Sequence, residues 1–176
     1  MADNKLSNIQ ILNGRLIFKN FQGKESLPYN KAGERNFGVL LDDDLAKQLE
    51  ADGWHVKYRP PRPDDGYSQP WMQVKVKYNK YPPTIVLINS SGKIRMTEDT
   101  VSQLDWTQIE SADMIIRPYP YPAMVDKDGR ETRPAGIAAY VQSLYVTVRE
   151  DDLAAKYADI PFVDEVATTE EEVPFN

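Results

Sequence analysis

The stretch that most constrains the fold is the run W-M-Q-V-K-V-K-Y-N-K-Y at residues 71–81. Side chains alternate between the two sides of a β-strand, so this run sorts into two faces. One face is apolar and consists of Met72, Val74 and Val76. The other carries Trp71, Gln73, Lys75 and Lys77. The pattern predicts a strand with one side in the core and an indole and two ammonium groups on the other.

The outer side of this strand has two interpretations. An aromatic ring beside cations suits a polyanion with flat bases, because phosphates attract the cations and bases stack on the ring. Alternatively, Lys75 and Lys77 merely face water, as most strand lysines do. Tyr78 and Tyr81 are further stacking candidates, although Tyr78 shares the parity of the apolar side and is equally a core candidate. The first interpretation predicts single-stranded nucleic acid as the ligand.

A second strand of similar character is predicted at residues 113–121. Its inner side carries Met114 and Ile116, and its outer side carries Ile115, Arg117, Tyr119 and Tyr121. Proline cannot donate to a ladder, so the prolines at 118, 120 and 122 indicate an edge strand or one leaving its sheet. The two tyrosines are interpreted either as base-stacking residues beside Arg117 or as core and turn packing.

The remaining elements define the fold class. Residues 8–21 and 137–148 are apolar on both sides, which indicates long strands in a sheet that curls into a small barrel. A strand at 54–59 places Lys57 and Arg59 on one side. One helix is predicted after the three aspartates at 42–44, and a second at residues 97–105. The sequence predicts a mainly β fold with minor α, an OB-fold-like five-stranded Greek-key barrel with extra strands and one or two helices.

The distribution of charge separates two regions. The chain carries a net charge of −6, which by itself would repel nucleic acid. Residues 150–176 contain nine acidic residues and one lysine, so residues 1–149 carry a net charge of +2. Within that body, residues 57–80 hold six basic residues against two aspartates. We therefore predict an OB-fold nucleic-acid-binding domain at 1–149 and a flexible acidic tail at 150–176.

Several functional classes find little support in the sequence. The chain has no cysteine and a single histidine, His55, which leaves few ligands for a metal and few groups for nucleophilic catalysis. The three consecutive aspartates point in different directions on a helix, and no glycine-rich phosphate loop is present. We predict no catalytic residue, metal site or cofactor, with a metal-dependent nuclease as the weaker alternative. No apolar run is long enough to span a bilayer, so we expect no membrane association and a cytoplasmic location.

The tail contains two groups that stand out from its acidic background. They are D-I-P-F, which consists of Asp159, Ile160, Pro161 and Phe162, and E-V-P-F, which includes Val173, Pro174 and Phe175. This tail resembles that of bacterial single-stranded DNA-binding proteins. The body resembles phage-encoded single-stranded DNA-binding proteins with an enlarged OB-fold, through the pieces R-N-F-G-V-L-L, W-M-Q-V-K-V-K-Y, M-I-I-R-P-Y and Y-V-Q-S-L-Y-V-T-V.

The resemblance implies a non-enzymatic protein that coats single-stranded DNA in replication, recombination or repair, in the host cytoplasm if phage-encoded. It also implies that the tail recruits replication and repair proteins and competes with DNA for the basic groove. In the bacterial tails the last such group is a tip that docks on partner proteins and ends at its Phe. This chain departs from that pattern twice, because Asn176 follows Phe175 and a second tip, D-I-P-F, lies inside the chain. Which of the two tips docks on a partner is therefore left open. An adaptor acting through its tail alone remains the alternative, and the sequence is compatible with a homo-oligomer. The predicted DNA contacts are Lys57, Arg59, Trp71, Lys75, Lys77, Tyr78, Tyr81, Arg117, Tyr119 and Tyr121.

Overall fold

The computed structural model describes residues 6–149, 157, 159–161 and 163. These residues form a mainly β structure with one α-helix and one 3₁₀ helix. The strands are β1 (Ile9–Gly14), β2 (Leu16–Asn20), β3 (Arg35–Leu40), β4 (Lys57–Tyr58), β5 (Pro70–Val76), β6 (Thr84–Asn89), β7 (Gly92–Met96), β8 (Ile109–Tyr121), β9 (Met124–Val125), β10 (Glu131–Arg133) and β11 (Gly136–Val148). The helix α1 spans Asp43–Ala51, and the 3₁₀ helix spans Val101–Asp105.

Nine strands form one sheet whose principal order is β1-β8-β11-β5-β3-β2. Its centre is the long antiparallel pair β8 and β11. On its other edge β11 pairs in parallel with β5 through its first half and with β6 through its second half. The strands β9 and β10 form a separate two-stranded hairpin. Thus β11 is paired on both edges along most of its length.

The sheet curls because its two ends are consecutive in the chain. β1 pairs with β8 and β2 pairs with β3, yet only Arg15 separates β1 from β2. No ladder joins β2 to β8 among the described residues, so the sheet remains open there. The prediction of a mainly β fold with minor α is confirmed, and the sheet is not closed into a complete barrel. The OB-fold-like arrangement stays a prediction.

The predicted first strand, residues 8–21, is bent into β1 and β2. A break at Asn13-Gly14 was expected, and Asn13 has φ of 56° with a register shift between Ile11 and Gly14. Ile11 and Phe21 are buried, but Leu12 and Phe18 are 62% and 60% exposed. The prediction that this strand is buried on both sides is therefore wrong. Phe18 has φ of 50°, a conformation that interrupts the alternation of side chains and turns this ring outward.

The core lies on the inner side of the curled sheet. Met72, Val74 and Val76 of β5 are at most 3% exposed, which confirms the predicted inner side of this strand. Other strands add buried side chains to the same core, including Phe37, Met114, Ile116, Val141 and Leu144. Burial of such side chains stabilises the folded sheet by about 1.5–3 kcal/mol each.

The first helix forms as predicted, and the second is shorter than expected. The Asp42 carboxylate caps α1 by accepting from the Leu45 N–H at 2.7 Å, and Gly53 follows the helix with φ of 98°. The predicted helix at 97–105 is only the 3₁₀ helix. Its Asp105 carboxylate accepts from the backbone N–H groups of Phe21 and Gln22, at 2.7 and 3.0 Å. This contact ties the segment to the end of β2.

Three further differences concern strand bounds. The strand predicted at 54–59 reduces to β4, and Trp54 makes only an isolated bridge to Ile137. The hairpin strand β7 was not predicted. The first half of β8 lies between β1 and β11, so only its second half, beyond Ile116, is the expected edge. That half contains Pro118 and Pro120, which an edge tolerates because no second ladder needs their missing N–H groups.

The described part of the tail is limited to five residues. The Ile160 N–H donates to the Tyr157 carbonyl at 3.1 Å, forming a turn. Asp159, Ile160 and Pro161 of the first tip belong to this part, whereas Phe162, Val173, Pro174 and Phe175 lie outside the described residues. Among the described helices, none is long and apolar enough to cross a membrane.

Candidate nucleic-acid interface

The outer side of β5 is formed by the residues that alternate with its core residues. Trp71 and Gln73 are half-buried and Lys75 is exposed. The indole extends over the neighbouring strand β3, where a Cβ on Gly38 would lie 2.8 Å from the ring. Glycine at this position therefore leaves the space that the indole occupies.

Three side chains lie around this indole, and together with Trp71 we call them the Trp71 cluster: Phe18, Lys57, Arg59 and Trp71. The Phe18 and Trp71 rings meet edge to face with centroids 5.0 Å apart. The Lys57 ammonium lies 5.1 Å from the Trp71 ring centre, and the Arg59 guanidinium lies 5.9 Å from that of Phe18. These are cation–π distances. The register explains one contact, since Lys57 of β4 is the direct partner of Trp71.

A second group, the Tyr140 cluster, consists of Lys75, Lys77, Tyr119 and Tyr140. Tyr140 of β11 is the register partner of Lys75 on one side and of Arg117 on the other. Both lysine ammonium groups lie within 6 Å of the Tyr140 ring centre, at 5.9 and 5.5 Å. The Tyr119 ring contacts Tyr140 edge to face at 5.4 Å. Residues predicted from two distant segments thus meet around Tyr140.

The remaining predicted aromatic residues pair with cations beside these clusters. Tyr81 is 61% exposed, and the Arg117 and Lys80 cations lie 5.6 and 5.5 Å from its ring centre. The Arg133 guanidinium lies 4.3 Å from the ring centre of Tyr121. The Tyr121 ring lies over Gly136, where a Cβ would clash with it. We call the two clusters, together with Tyr81, Tyr121 and the cations that contact these two rings, the aromatic face.

Tyr78 is placed differently from the other predicted residues. Its ring packs against the hydrophobic core, and its hydroxyl is buried without a hydrogen-bond partner among the described residues. Burial raises the pKa of Tyr78 to about 12, although the nearby Arg35 guanidinium opposes the shift. Tyr78 lies an even number of residues from Met72 and Val76, so the alternation of side chains along a strand predicted this inward orientation.

The cations of the aromatic face are not neutralised by described carboxylates. In the part of the chain that the structure describes, ion pairs link Arg35 to Glu98 at 3.2 Å and Arg62 to Asp65 at 3.8 Å. Neither pair involves the seven cations of the aromatic face, which are Lys57, Arg59, Lys75, Lys77, Lys80, Arg117 and Arg133. His55 adds no charge near neutral pH, because burial and then the Lys57 charge lower the pKa of its imidazole. The aromatic face is therefore a positively charged surface.

Two of the cavities that open on this face share one side chain. The first, about 500 Å³, lies between the Trp71 cluster and the loop at residues 21–34. The second, about 330 Å³, lies between β5 and the Tyr119, Tyr121 and Tyr140 rings. Gln73 lines both cavities, so they are neighbours along β5.

Sequence reasoning missed three aromatic residues of this region: Phe18, Tyr29 and Tyr140. Tyr140 carried a signal, because it alternates with Ile137, Ala139 and Val141 in a strand that was interpreted as apolar on both sides. Phe18 carried no such signal, since its exposure depends on a positive φ. Tyr29 lies at a loop position, 81% exposed, where periodicity gives no information.

The acidic side chains do not gather into a metal site within residues 6–149 and the described tail positions. Asp42 caps α1, and Asp43 accepts a hydrogen bond from the Tyr67 hydroxyl at 2.8 Å. This bond is the main reason that the pKa of Tyr67 is raised. These aspartates have structural roles around the helix.

A comparison with known protein families gives a match over nearly the whole chain. A family model described as a putative phage ssDNA-binding domain matches residues 1–175. No match was found among curated proteins.

Solved structures offer more distant likenesses. A C-terminally truncated single-stranded DNA-binding protein from bacteriophage Enc34 is 12% identical, with 82% of this chain and 87% of that chain covered and a TM-score of 0.48. The same phage protein in complex with ssDNA has the same identity and coverage and a TM-score of 0.46. Bacteriophage T7 gp2.5, a single-stranded DNA-binding protein, is 14% identical over 90% of this chain and 98% of that one, with a TM-score of 0.38.

The TM-scores of these structural likenesses are all below 0.5. The sequence match, by contrast, spans nearly the whole chain. The chain therefore belongs to the family of putative phage ssDNA-binding domains.

Proposed function

We propose that this protein binds single-stranded DNA on the aromatic face, with little dependence on sequence and without enzymatic activity. The observation that supports this best is a set of seven cations in contact with exposed or half-exposed rings and without described acidic partners. Cations attract the phosphates, and the rings accept unstacked bases. Duplex DNA keeps its bases stacked inside the helix, so this surface favours single strands.

The proposed contacts follow the two clusters. Lys57, Arg59, Lys75, Lys77 and Arg117 attract the phosphates, and Trp71, Tyr81, Tyr119 and Tyr121 stack on bases. Phe18 and Tyr140 join this set because each is in ring contact with a predicted residue. We leave Tyr78 out, because its ring packs on the core and its hydroxyl is buried.

The biological role that we propose is to coat and protect single strands during replication, recombination or repair in the host cytoplasm. Residues 1–149 form the binding domain, and residues 150–176 act as an acidic tail. The tail has a net charge of −8, which suits it to compete with DNA for the cations of the aromatic face. Its D-I-P-F and E-V-P-F groups recruit partner proteins, and assembly into a homo-oligomer is compatible with this role.

The experiment that tests this proposal compares the full chain with a version ending at Arg149. Each is titrated into fluorescent oligo-dT at several salt concentrations while tryptophan emission is followed. We expect salt-sensitive binding with tryptophan quenching, and tighter binding by the shorter version because its competitor is gone.

Two controls define the outcomes. A full chain with the tail carboxylates changed to amides separates the effect of charge from that of length. Absence of binding by all three proteins would overturn the proposal and favour an adaptor that acts through its tail. Magnesium-stimulated cleavage of the labelled strand would favour a nuclease instead.

A further inference from the structure

The loop at residues 21–34 is held in place by the two buried polar side chains of the described chain, Asn20 and Asn36. The Asn20 amide donates to the carbonyls of Lys24 and Glu34, at 3.0 and 3.2 Å, and its oxygen accepts from the Lys24 N–H at 2.9 Å. The Asn36 amide donates to the Asn30 side-chain oxygen at 2.7 Å. Because both side chains form hydrogen bonds with the loop, the loop is ordered before any ligand binds.

This braced loop forms one wall of the first cavity. Ser26, Tyr29 and Asn30 of the loop face the Trp71 cluster across a space of about 500 Å³. Cavities of this size are common for small organic ligands, and a nucleobase fits with room for its sugar. Tyr29 presents an exposed ring at the rim. The cavity therefore offers aromatic surface on two sides.

The floor of this cavity contains a polar group that is available for a ligand. The Gln73 carboxamide has no hydrogen-bond partner among the described residues, although Gln73 is half-buried at the middle of β5. A carboxamide offers a donor and an acceptor side by side, which matches the edge of a nucleobase. Base stacking is tolerant of sequence, whereas a hydrogen bond to a base edge is not.

We propose that this cavity is a base-selective subsite, in which one base stacks on Trp71 and is read through its edge by the Gln73 carboxamide. Tyr29 closes over the base from the loop. The proposal rests on the proposed function of the aromatic face. It adds one position at which binding depends on the identity of the base. Glutamine pairs best with the N6 and N7 edge of adenine, so the largest effect is expected there.

The test measures the affinity of the full chain for short fluorescent homopolymers dA, dC and dT of equal length, and for an abasic strand. It compares the unchanged protein with Gln73→Ala and with the control Gln10→Ala, an exposed glutamine on β1 that lies outside both cavities. Comparison of each variant with the unchanged protein cancels the self-stacking of dA.

We expect Gln73→Ala to weaken binding of dA by about fivefold or more relative to the abasic strand, because a base-edge contact discriminates by about 1–3 kcal/mol. Gln10→Ala should leave all four affinities unchanged. Equal losses by Gln73→Ala on dA, dC and dT would overturn the base-selective subsite while leaving the proposed function intact. Absence of binding by the unchanged protein would instead overturn the proposed function itself.

Discussion

The two halves of the β8–β11 pair share a backbone ladder and differ in what they present outward. In one half, Tyr140 of β11 faces outward between Arg117 and Lys75. In the other half, beyond a register shift between Val141 and Ser143, Tyr145 faces outward opposite Asp113. The neighbouring strand also changes, from the cationic β5 to the apolar β6. One strand pair therefore carries a basic aromatic surface at one end and a hydroxyl-rich, acidic surface at the other.

This difference shows that the ladder itself does not create the candidate interface. Both halves bury aliphatic side chains inward, such as Ala139 and Val141 in one and Leu144 and Val146 in the other. Hydrogen bonding and core packing are alike, so the capacity to bind a polyanion comes from the outward side chains and from the strand that pairs alongside. Three predictions that follow test this contrast and two concern the inward-facing Tyr78, ordered from the largest expected effect to the smallest.

The first prediction concerns the indole at the centre of the basic half. Trp71→Ala should weaken binding to oligo-dT by about 1–3 kcal/mol, because a stacked base loses its aromatic partner. Equilibrium titration followed by anisotropy measures the loss. The control is Trp106→Ala, since Trp106 is 70% exposed and has no ring or cation contact with the described residues. If both variants lost the same affinity for oligo-dT, the stacked base would not lie on the Trp71 cluster.

The second prediction compares the two outward tyrosines of β11 directly. Tyr140→Ala should weaken oligo-dT binding by about 1 kcal/mol or more, because it removes a ring that contacts Tyr119 and two lysines. Tyr145→Ala removes the same side chain from the other half and should leave the affinity unchanged. If the Tyr145 variant lost as much as the Tyr140 variant, the contrast between the halves would not describe binding.

The third prediction concerns the salt dependence of affinity. Lys77→Ala should reduce the slope of log affinity against log salt by about 0.7, the value for one phosphate contact on a single strand. Lys93 is an exposed lysine on β7, which lies beside β6, so Lys93→Ala is the matched control. Titrations at four salt concentrations give both slopes. An unchanged slope for Lys77→Ala would show that this lysine faces water and contacts no phosphate.

The fourth prediction concerns Tyr78, which follows β5 and packs inward. Tyr78→Phe should stabilise the fold by up to about 1 kcal/mol, because it removes a buried hydroxyl without a described partner, and should not change DNA binding. Urea unfolding measures the stability.

The same residue predicts a pH dependence. The pKa of Tyr78 is raised to about 12 in the folded state, so the unfolded chain ionises first and the free energy of unfolding falls as the pH rises from 10 toward 12. Tyr78→Phe should lose less stability than the unchanged protein over that interval. Parallel curves for the two proteins would show that the hydroxyl is solvated.

Much of the sheet could be predicted because alternation is a local property. The inner side of β5, the inner side of β8 and the cap of α1 follow from residue types and spacing alone. The bend at Asn13-Gly14 also has a local cause, since these residues accept unusual backbone conformations. Predictions were wrong where tertiary contacts decide, as at Phe18, whose φ of 50° turns an apolar ring outward.

The candidate site was predictable as a list of residues and not as an arrangement. Lys75 and Arg117 were each identified on their own strand, but Tyr140, which joins them, lies on a third strand. Strand pairing across more than sixty residues depends on the register of the whole sheet, which no local pattern contains. The same holds for Gly38, whose missing side chain matters only because Trp71 crosses β3.

The sequence by itself determined which sides of the strands are apolar, the separation of a basic segment from an acidic tail, and the chemical types available for binding. Those properties depend on residue identity and on the two-residue period of a strand. Only the tertiary structure decided which rings lie beside which cations, that Gln73 lies between two cavities, and that one half of β11 differs from the other. Such neighbours are set by register and by curling of the sheet, because the free energy that selects them comes from burial of the whole core.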